Sequence, residues 1–423
     1  MSIFSRFFNR SSTPQAHSAS PSAPQKRHSL HEGEHLQAVY LKKDVTLEKK
    51  IGEGGEGSVH TIAEHSRIVA KLYSQKNRTM AHEKKLHRLL NKRIDPKEAK
   101  AQGIALPIDI LIDAKGGFVG YLMPMIEGVP LKNAFFSRRR LETRFPDADR
   151  KTLVQFALHF VAQLEYLHSK NILVGDINPL NIMVDLHNPA RGWLIDTDSF
   201  QVDNLPCPVG TDIFTPPNLQ GRNFKSLLRS IDDEHFSAAI MIFMILMIGK
   251  HPYSRIGGEN PADNIKKRAF PYRSMGSLDQ VPAGVWGYIW SHFPRDLKRG
   301  FEQVFSEGER LDLKEWNTIL KKYAYLLDRG FFCNDIIPLS FRSRNAITVK
   351  CRDCNREFQM DARFHEKLTL QKKEPICTLC RQKIKATQLA GRNRNTIHDS
   401  IRNARFNARK FRYKDALRKD PHS

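Results

Sequence analysis

Residues 166–202 of the chain are YLHSKNILVGDINPLNIMVDLHNPARGWLIDTDSFQV. Three short runs within this stretch are apolar and rich in β-prone residues, at 172–174, 182–184 and 193–195. Apolar runs of this length, bounded by Gly, Asn, Asp and Pro, predict short strands joined by loops. Because polar side chains follow the first and third runs, the sequence predicts that several of them meet at the strand ends.

Four oxygen-bearing side chains define the predicted site, and they are Asp176, Asn178, Asn181 and Asp196. An aspartate, an amide a few residues later and a second aspartate suit phosphoryl transfer, in which one group orients the acceptor hydroxyl and two hold magnesium. Magnesium prefers hard oxygen ligands and keeps several waters. We therefore predict that Asp176 and Asn178 are catalytic and that Asn181 and Asp196 bind Mg²⁺ against the phosphates of ATP.

A glycine-rich segment lies upstream, in residues 47–62, LEKKIGEGGEGSVHTI. It matches the pattern G-x-G-x-x-G-x-V at Gly52, Gly54, Gly57 and Val59. Glycines at such positions let backbone N–H groups approach phosphates closely. A dinucleotide-binding turn would open a helix, whereas the β-branched residues that follow predict a strand. Lys71, on the next predicted strand, then suits the α- and β-phosphates of ATP.

Together these motifs resemble the protein-kinase superfamily, whose catalytic loop is H-R-D-x-x-x-x-N and whose metal-binding turn is D-F-G. The resemblance covers residues 44–327, and VGDINP, LIDTDSFQ and GKHPYS are most similar to a divergent bacterial branch of YegI-type kinases. It implies an α+β, bilobal protein-kinase-like fold with an antiparallel β N-lobe and a mainly α C-lobe. It also implies ATP and Mg²⁺ as cofactors, a protein substrate that includes the chain itself, and a partner phosphatase.

The resemblance further implies residues that surround the nucleotide. A predicted helix at 78–91 carries Glu83, which is the expected ion-pair partner of Lys71. The run GYLMPMIEG implies a hinge in which Met123 lies behind the adenine. Because Pro124 has no backbone N–H, the expected hydrogen-bond donor to the base is Met125.

Three residues depart from the kinase motifs. Gly175 replaces the arginine that in many kinases receives an activation-segment phosphate. Asn178 replaces the lysine that steadies the γ-phosphate, and Asp198 replaces the glycine of D-F-G. Loss of a preorganised donor of this kind lowers a rate by about 10²–10³ unless another group substitutes for it.

Three functions therefore stay open. The first is an active Ser/Thr protein kinase that phosphorylates itself or a partner. The second is a nucleotide-binding pseudokinase scaffold, although joint retention of the lysine, the amide and both aspartates argues against it. The third is a small-molecule phosphotransferase, because aminoglycoside and choline kinases also lack the catalytic-loop lysine, although they rarely keep the full glycine motif.

The C-terminal part carries cysteines spaced as C-x2-C-x22-C-x2-C, at Cys351, Cys354, Cys377 and Cys380. Two residues between thiolates let a tight turn direct both at one ion, and two such turns complete tetrahedral Zn–S4 coordination. In a chain without an export signal, paired cysteines of this spacing indicate metal binding rather than disulfides. We therefore predict a structural Zn²⁺ ion in a zinc ribbon over residues 340–388.

The two ends of the chain are polar and basic. Lys and Arg number 68 against 45 Asp and Glu, a formal net charge of +23 that favours acidic partners. Residues 1–38 predict a disordered arm, and residues 389–423 a basic tail that, with the ribbon, is a candidate for nucleic-acid binding. The most apolar run, 238–248, is too short to span a bilayer and predicts a buried helix. We accordingly expect a cytoplasmic protein without a transmembrane segment.

Overall fold

The structure, a computed structural model, describes residues 32–338 and 346–377, together with residues 380 and 384. The chain divides into two units, Met1–Pro338 and Leu339–Ser423. Most of the predicted arm and all of the predicted basic tail lie outside the described residues.

The first unit begins with an antiparallel sheet of six strands. They are β1 (His35–Ala38), β2 (Lys43–Glu53), β3 (Gly57–Ile62), β4 (Ile68–Tyr73), β5 (Asp109–Ile112) and β6 (Phe118–Pro124). Their order is β1-β2-β3-β4-β6-β5, and β1 pairs with both β2 and β5. One face is buried because apolar residues alternate along the strands, as in Val45 and Leu47 of β2.

Strand β1 corrects the predicted extent of the N-terminal arm. The prediction placed residues up to 38 in a disordered segment, but Leu36 and Ala38 are buried against the sheet core. These two residues alternate with polar neighbours, so the strand places them on the core side. The few apolar residues near the end of the polar segment are therefore part of the fold.

Two helices lie between β4 and β5, namely α1 (Met80–Leu90) and α2 (Pro96–Gln102). Helix α1 begins at the N-cap Thr79, whose side chain accepts a hydrogen bond from the His82 N–H. Its Leu86 packs with Tyr73, Ile110 and Tyr121 on the sheet, which fixes the helix against strands β4, β5 and β6.

The second part of this unit is mainly helical. Its helices are α3 (Leu131–Ala134), α4 (Arg138–Arg144), α5 (Arg150–Ser169), α6 (Ile231–Leu246), α7 (Pro261–Lys266), α8 (Trp286–Ser291), α9 (Arg295–Glu302) and α10 (Leu313–Asp328). Its short strands are β7 (Gly128–Pro130), β8 (Ile172–Leu173), β9 (Ile182–Asp185), β10 (Gly192–Leu194) and β11 (Gln201–Val202). Strand β9 lies between β10 and β7, and β8 pairs with β11.

Helices α5 and α6 form the centre of this helical part. Each begins with a capping box, at Asp149 and Thr152 for α5 and at Ser230 and Asp233 for α6. Residues 238–246 of the apolar run predicted as a buried helix form the second half of α6, and the whole run to Ile248 is buried. Among the described residues, the helices are too short or too polar to cross a membrane.

The second unit contains a hairpin and one helix: β12 (Ala346–Lys350), β13 (Glu357–Asp361) and α11 (Ala362–Leu370). Strands β12 and β13 are antiparallel, and Lys350 lies opposite Glu357. The turn between them carries Cys351 and Cys354.

The buried imidazole of His251 yields a pH prediction. Its Nε2 donates to the Ile213 carbonyl (2.7 Å), and its Nδ1 accepts from the Tyr253 N–H (3.2 Å), so the two bonds fix the neutral ring. Burial lowers the pKa of His251 to about 4. The unfolded chain therefore binds a proton that the folded chain excludes, and stability present above pH 6.5 is lost as the pH falls towards 4.

We expect this histidine to contribute up to about 3 kcal/mol to the fall in unfolding free energy. The measurement is urea denaturation at pH 7 and pH 4.5 for the parent and for His251→Gln, whose amide can still donate to Ile213. The parent should lose more stability than the variant on acidification. Equal losses would contradict the assignment.

Candidate active site

The glycine-rich turn lies between β2 and β3, directly beside β4. The Gly54 N–H bonds to the Gly57 carbonyl (2.7 Å), and Gly52 pairs across the hairpin with Val59. A Cβ atom at residue 57 would lie 1.9 Å from the Leu72 carbonyl oxygen, so only glycine fits there. The predicted glycines and Val59 thus lie next to the strand that carries Lys71.

Lys71 is 4% exposed and faces three carboxylates. Its Nζ lies 2.7 Å from Asp196 Oδ1, 2.8 Å from Asp198 Oδ1 and 3.4 Å from Glu56 Oε2. Burial lowers the pKa of Lys71, but Asp196 and Asp198 outweigh that effect and raise it well above its usual value. The lysine is therefore a permanent cation at this position.

Two tyrosines complete the surroundings of Asp198. The hydroxyls of Tyr73, on β4, and Tyr121, on β6, both donate to this carboxylate. Burial raises the pKa of Asp198, but the ammonium of Lys71 and the hydrogen bonds from Lys71 and the tyrosines outweigh it and lower that pKa. Asp198 is therefore an ionised carboxylate in a buried site.

The predicted ion pair between Lys71 and Glu83 is corrected by the structure. Glu83, on α1, is paired with His87 one helical turn further on, at 4.0 Å. Its side chain is 37% exposed, whereas the carboxylates within 4 Å of Lys71 come from the glycine-rich turn and from the segment after β10. The helix supplies the site with Lys85 instead, as described below.

The predicted hinge is placed at the end of β6. Met123 is half-buried and packs against the cluster of Tyr73, Leu86, Ile110 and Tyr121. The backbone N–H of Met125 donates to the Arg67 carbonyl (2.9 Å). The expectation that this N–H is directed at a base is therefore corrected, because strand pairing already engages it.

The loop of residues 174–181 brings the other predicted residues together. Asn178 Nδ2 donates to Asp176 Oδ2 (2.7 Å), and Asn181 Nδ2 donates to the Asp176 carbonyl (3.2 Å). The Ile195 N–H bonds to the Asn181 carbonyl (3.0 Å), which places Asn181 beside the residue before Asp196. Asp196 in turn contacts Lys71. These contacts, together with the peptide bond between Ile195 and Asp196, connect Lys71, Asp196, Asn181 and Asp176.

Glu234, a buried residue of α6, binds the backbone at the start of this loop. Its carboxylate accepts the N–H groups of Val174 (3.1 Å) and Gly175 (2.7 Å), and it contacts His168 Nε2 at 3.0 Å. A buried carboxylate that accepts several hydrogen bonds fixes its donors firmly. Glu234 therefore sets the position of the backbone that leads into Asp176.

The segment that follows Asp196 is held by two buried cations. Lys85 Nζ, from α1, donates to the carbonyls of Ser199 (3.1 Å) and Pro206 (2.6 Å). The Arg229 guanidinium donates to the carbonyls of Cys207 (2.9 Å) and Val209 (2.6 Å). Fixed side-chain cations thus order residues 199–209.

Gly175 shows why the arginine of the kinase motif is absent here. Its φ is +72°, and a Cβ atom would lie 2.5 Å from Cys207 Cβ and 3.2 Å from an Arg229 nitrogen. The space that a side chain at 175 would need is occupied by the segment and by the arginine that holds it. Thr211, two residues after this segment, reaches the loop of residues 174–181, since its Oγ1 donates to Asp176 Oδ1 (3.2 Å).

Several residues of the site were missed at the level of sequence. They are Glu56, Tyr73, Lys85, Tyr121, Thr211, Arg229 and Glu234. The alternation of strand residues offered one signal, because residues 71 and 73 share a face of β4 and Tyr121 lies opposite Lys71 in the β4–β6 register. The others come together only through tertiary packing.

The carboxylate oxygens of Glu56, Asp196 and Asp198 lie within 4.8 Å of one another. Asp196 is 27% exposed, and the backbone carbonyl of Asn181 accepts the N–H of Ile195, the residue before Asp196. Such hard oxygen donors with room for water suit Mg²⁺. The donor set therefore fits the predicted metal, with Asn181 and Asp196 as candidate ligands.

The four predicted zinc ligands lie together in the second unit. The Sγ atoms of Cys351, Cys354, Cys377 and Cys380 are all within 4.8 Å of one another. Cys354 Sγ and Cys377 Sγ are 3.7 Å apart, close to the roughly 3.8 Å between two sulfurs that each bind one zinc at about 2.3 Å in tetrahedral geometry. The cysteines are unbridged, so the cluster fits a metal site.

Comparisons with known proteins found relatives among protein kinases. No family model matches the chain. Protein kinase YegI of Escherichia coli strain K12 is 28% identical over 277 residues, which cover 62% of this chain and 41% of that protein. Serine/threonine-protein kinase PknD of Chlamydia trachomatis serovar L2b is 31% identical over 148 residues, 33% of this chain and 15% of that protein. The chain spans less than half the length of these curated relatives.

Among solved structures, ROP2 from Toxoplasma gondii, described as a virulence factor with a protein-kinase fold and no enzymatic activity, is 14% identical. The match covers 70% of this chain and 86% of that one, with a TM-score of 0.47. The sequence matches show that the chain is homologous to protein kinases, YegI among them. The resemblance inferred from the motifs and the bilobal α+β fold are confirmed.

The two cations that bind residues 199–209 yield a prediction about local order. Replacing Lys85 or Arg229 by Met leaves backbone carbonyls unpaired, so we expect amide hydrogen exchange within 199–209 to accelerate at least about 10-fold. Hydrogen exchange followed by mass spectrometry measures this. The matched control is Lys84→Met, which removes an exposed cation from the same helix. Exchange that stays at the parent rate in both variants would show that the segment is ordered by other contacts.

Proposed function

We propose that the chain is an ATP- and Mg²⁺-dependent protein kinase that transfers the γ-phosphoryl group to Ser or Thr of itself or of a partner protein. The observation that carries the proposal is the connected set of contacts from Lys71 through Asp196 and Asn181 to Asp176. Phosphoryl transfer needs little covalent chemistry from the protein, and its main requirements are positioning and charge stabilisation. This set supplies both.

The proposed roles follow from the geometry. Asp176 accepts or orients the proton of the acceptor hydroxyl, and its contact with Thr211 Oγ1 (3.2 Å) supports access of a hydroxyl to that oxygen. Lys71 holds the α- and β-phosphates, and the glycine turn covers them. Asn181 and Asp196 would hold magnesium, which when bound neutralises charge on the phosphates.

Asn178 takes a different role from the lysine that it replaces. Its amide donates to Asp176 Oδ2 (2.7 Å), so it orients the catalytic carboxylate instead of placing a cation at the γ-phosphate. A transition state stabilised mainly by charge then lacks one positive group. A slow kinase is the consequence that we expect.

Protein as the acceptor is supported by the contact between the segment and the catalytic loop. Thr211 lies two residues beyond the run held by Lys85 and Arg229, so a polypeptide of this chain already lies beside Asp176. The partner phosphatase stays a prediction. Nucleic-acid binding by the ribbon and residues 389–423 also stays a prediction, because the tail lies outside the described residues.

The test is incubation of the full chain with γ-labelled ATP and Mg²⁺, beside Asp176→Asn. We expect label on the parent protein and a loss of about 10²–10⁴ in rate for the variant, since a general base contributes that much. The variant keeps the size of the side chain. Nucleotide binding without transfer would favour the pseudokinase scaffold, and label found only on an added small alcohol would favour the small-molecule phosphotransferase.

The cysteine cluster yields a separate prediction. We expect the purified chain to carry about one zinc ion, bound by the four thiolates as a structural site without a catalytic water. Elemental analysis should show that Cys354→Ser or Cys377→Ser loses the ion. Cys333→Ser is the matched control, because Cys333 lies outside the cluster. Zinc content unchanged in the two cluster variants would exclude this site.

A further inference from the structure

We propose that Asp198 is the residue that positions Lys71 for the nucleotide phosphates, in place of a glutamate on helix α1. This inference rests on the proposed phosphoryl transfer. It makes Asp198 a positioning residue, since it acts on the nucleotide through Lys71. It also assigns no part in the reaction to Glu83.

The first step of the argument is the geometry of the carboxylate. Lys71 Nζ lies 2.8 Å from Asp198 Oδ1 and 2.9 Å from Oδ2, so the ammonium contacts both oxygens. Tyr121 donates to Oδ1 (2.6 Å) and Tyr73 donates to Oδ2. Each oxygen thus has one ammonium contact and one hydroxyl donor. A carboxylate held by charge and by two neutral donors has a defined orientation.

The second step is burial. Asp198 and Lys71 are both 4% exposed, and the ammonium lies 5.6 Å from the ring centroids of both tyrosines. Removing one partner of a buried ion pair leaves an uncompensated charge, whereas surface pairs contribute little. The pair therefore restrains the lysine far more strongly than an exposed carboxylate could.

The third step excludes the other carboxylates as permanent partners. Asp196 is the candidate Mg²⁺ ligand, so metal binding would engage its oxygens. Glu56 is 39% exposed on the glycine turn and lies 3.4 Å from Lys71. Its contact with the ammonium is the longest of the three and involves the most exposed carboxylate. Asp198 is the partner that stays when phosphates and metal arrive.

The position of Lys71 then depends on the turn that carries Asp198. Asp198 lies two residues after Asp196, in the single turn Thr197–Ser199. Lys71 is thus coupled to the metal ligand through one short rigid segment, and not to the position of α1. Helix α1 uses Lys85 to hold that segment, which makes its contribution to the site indirect.

The experiment compares Asp198→Asn with Glu83→Gln, two changes that each replace a carboxylate by an amide of equal size. Initial rates of label transfer are measured over a range of Mg-ATP concentrations with the full chain. We expect kcat/KM for ATP to fall by about 10²–10³ in Asp198→Asn, as for loss of a positioned cation. We expect a change of less than about 2-fold in Glu83→Gln, because an exposed ion pair contributes little.

A double-variant cycle separates positioning from a structural role. If Asp198 acts through Lys71, then Lys71→Met and Lys71→Met/Asp198→Asn should have the same affinity for Mg-ATP in calorimetry. A structural role would lower the affinity further in the double variant. Thermal unfolding monitors folding in each case. Should Asp198→Asn not fold, Tyr121→Phe retains the carboxylate, and we expect it to lower kcat/KM about 5-fold through one lost hydrogen bond.

The outcomes distinguish the two proposals. A parent that transfers no label contradicts the proposed function. An active parent in which Glu83→Gln is inactive, or in which Asp198→Asn and Tyr121→Phe both behave like the parent, overturns the role of Asp198 alone.

Discussion

A buried ammonium is the constraint on which the site depends. An isolated ion of this size loses several kcal/mol when it leaves water, so Lys71 can be buried only where carboxylates meet it. The lysine comes from the β sheet, and Asp196 and Asp198 come from the segment after β10, so the pairing joins the two parts of the first unit. Asp196 adopts a left-handed conformation, with φ at +60°, which costs about 1–2 kcal/mol. The electrostatic contacts of the segment offset that strain.

The second constraint on the site is that its backbone N–H and C=O groups need hydrogen-bond partners. The loop of residues 174–181 and the segment after Asp196 contain little regular structure, so their polar backbone groups need partners. Glu234 accepts N–H groups of the loop, while Lys85 and Arg229 donate to carbonyls of the segment. These three charged side chains are buried, and each uses its charge to order backbone. Fixed charged side chains therefore order the loop and the segment without a phosphate group.

The sequence could predict that these site residues lie close together because their spacing is local. Asp176, Asn181 and Asp196 lie at the ends of short strands whose pairing follows from the apolar runs, and the cysteine turns are equally local. The predicted partner of Lys71, Glu83 on helix α1, was wrong. Only tertiary packing decides which carboxylates of the chain reach the lysine. Asp198 stood out as a departure from the kinase motif, yet its role depends on two tyrosines that come from different strands. The predictions of Met125 as a donor to the base and of disorder up to residue 38 were wrong for a similar reason. The backbone pairing that involves these residues joins segments distant in sequence, so a local pattern does not reveal it.

Charge balance also constrains the form of the nucleotide. One ammonium faces three carboxylates, so the cluster carries an excess of up to two negative charges before any phosphate arrives. The phosphates of ATP add further negative charge, and charges a few ångströms apart in a partly buried site repel by several kcal/mol. On the proposed function, the phosphates would therefore need a divalent cation with them, which the partly exposed Asp196 would hold while Asp198 keeps the lysine in place. With Asn178 in place of a cation at the γ-phosphate, such a metal would have to supply a larger share of the positive charge than in a site with the motif lysine.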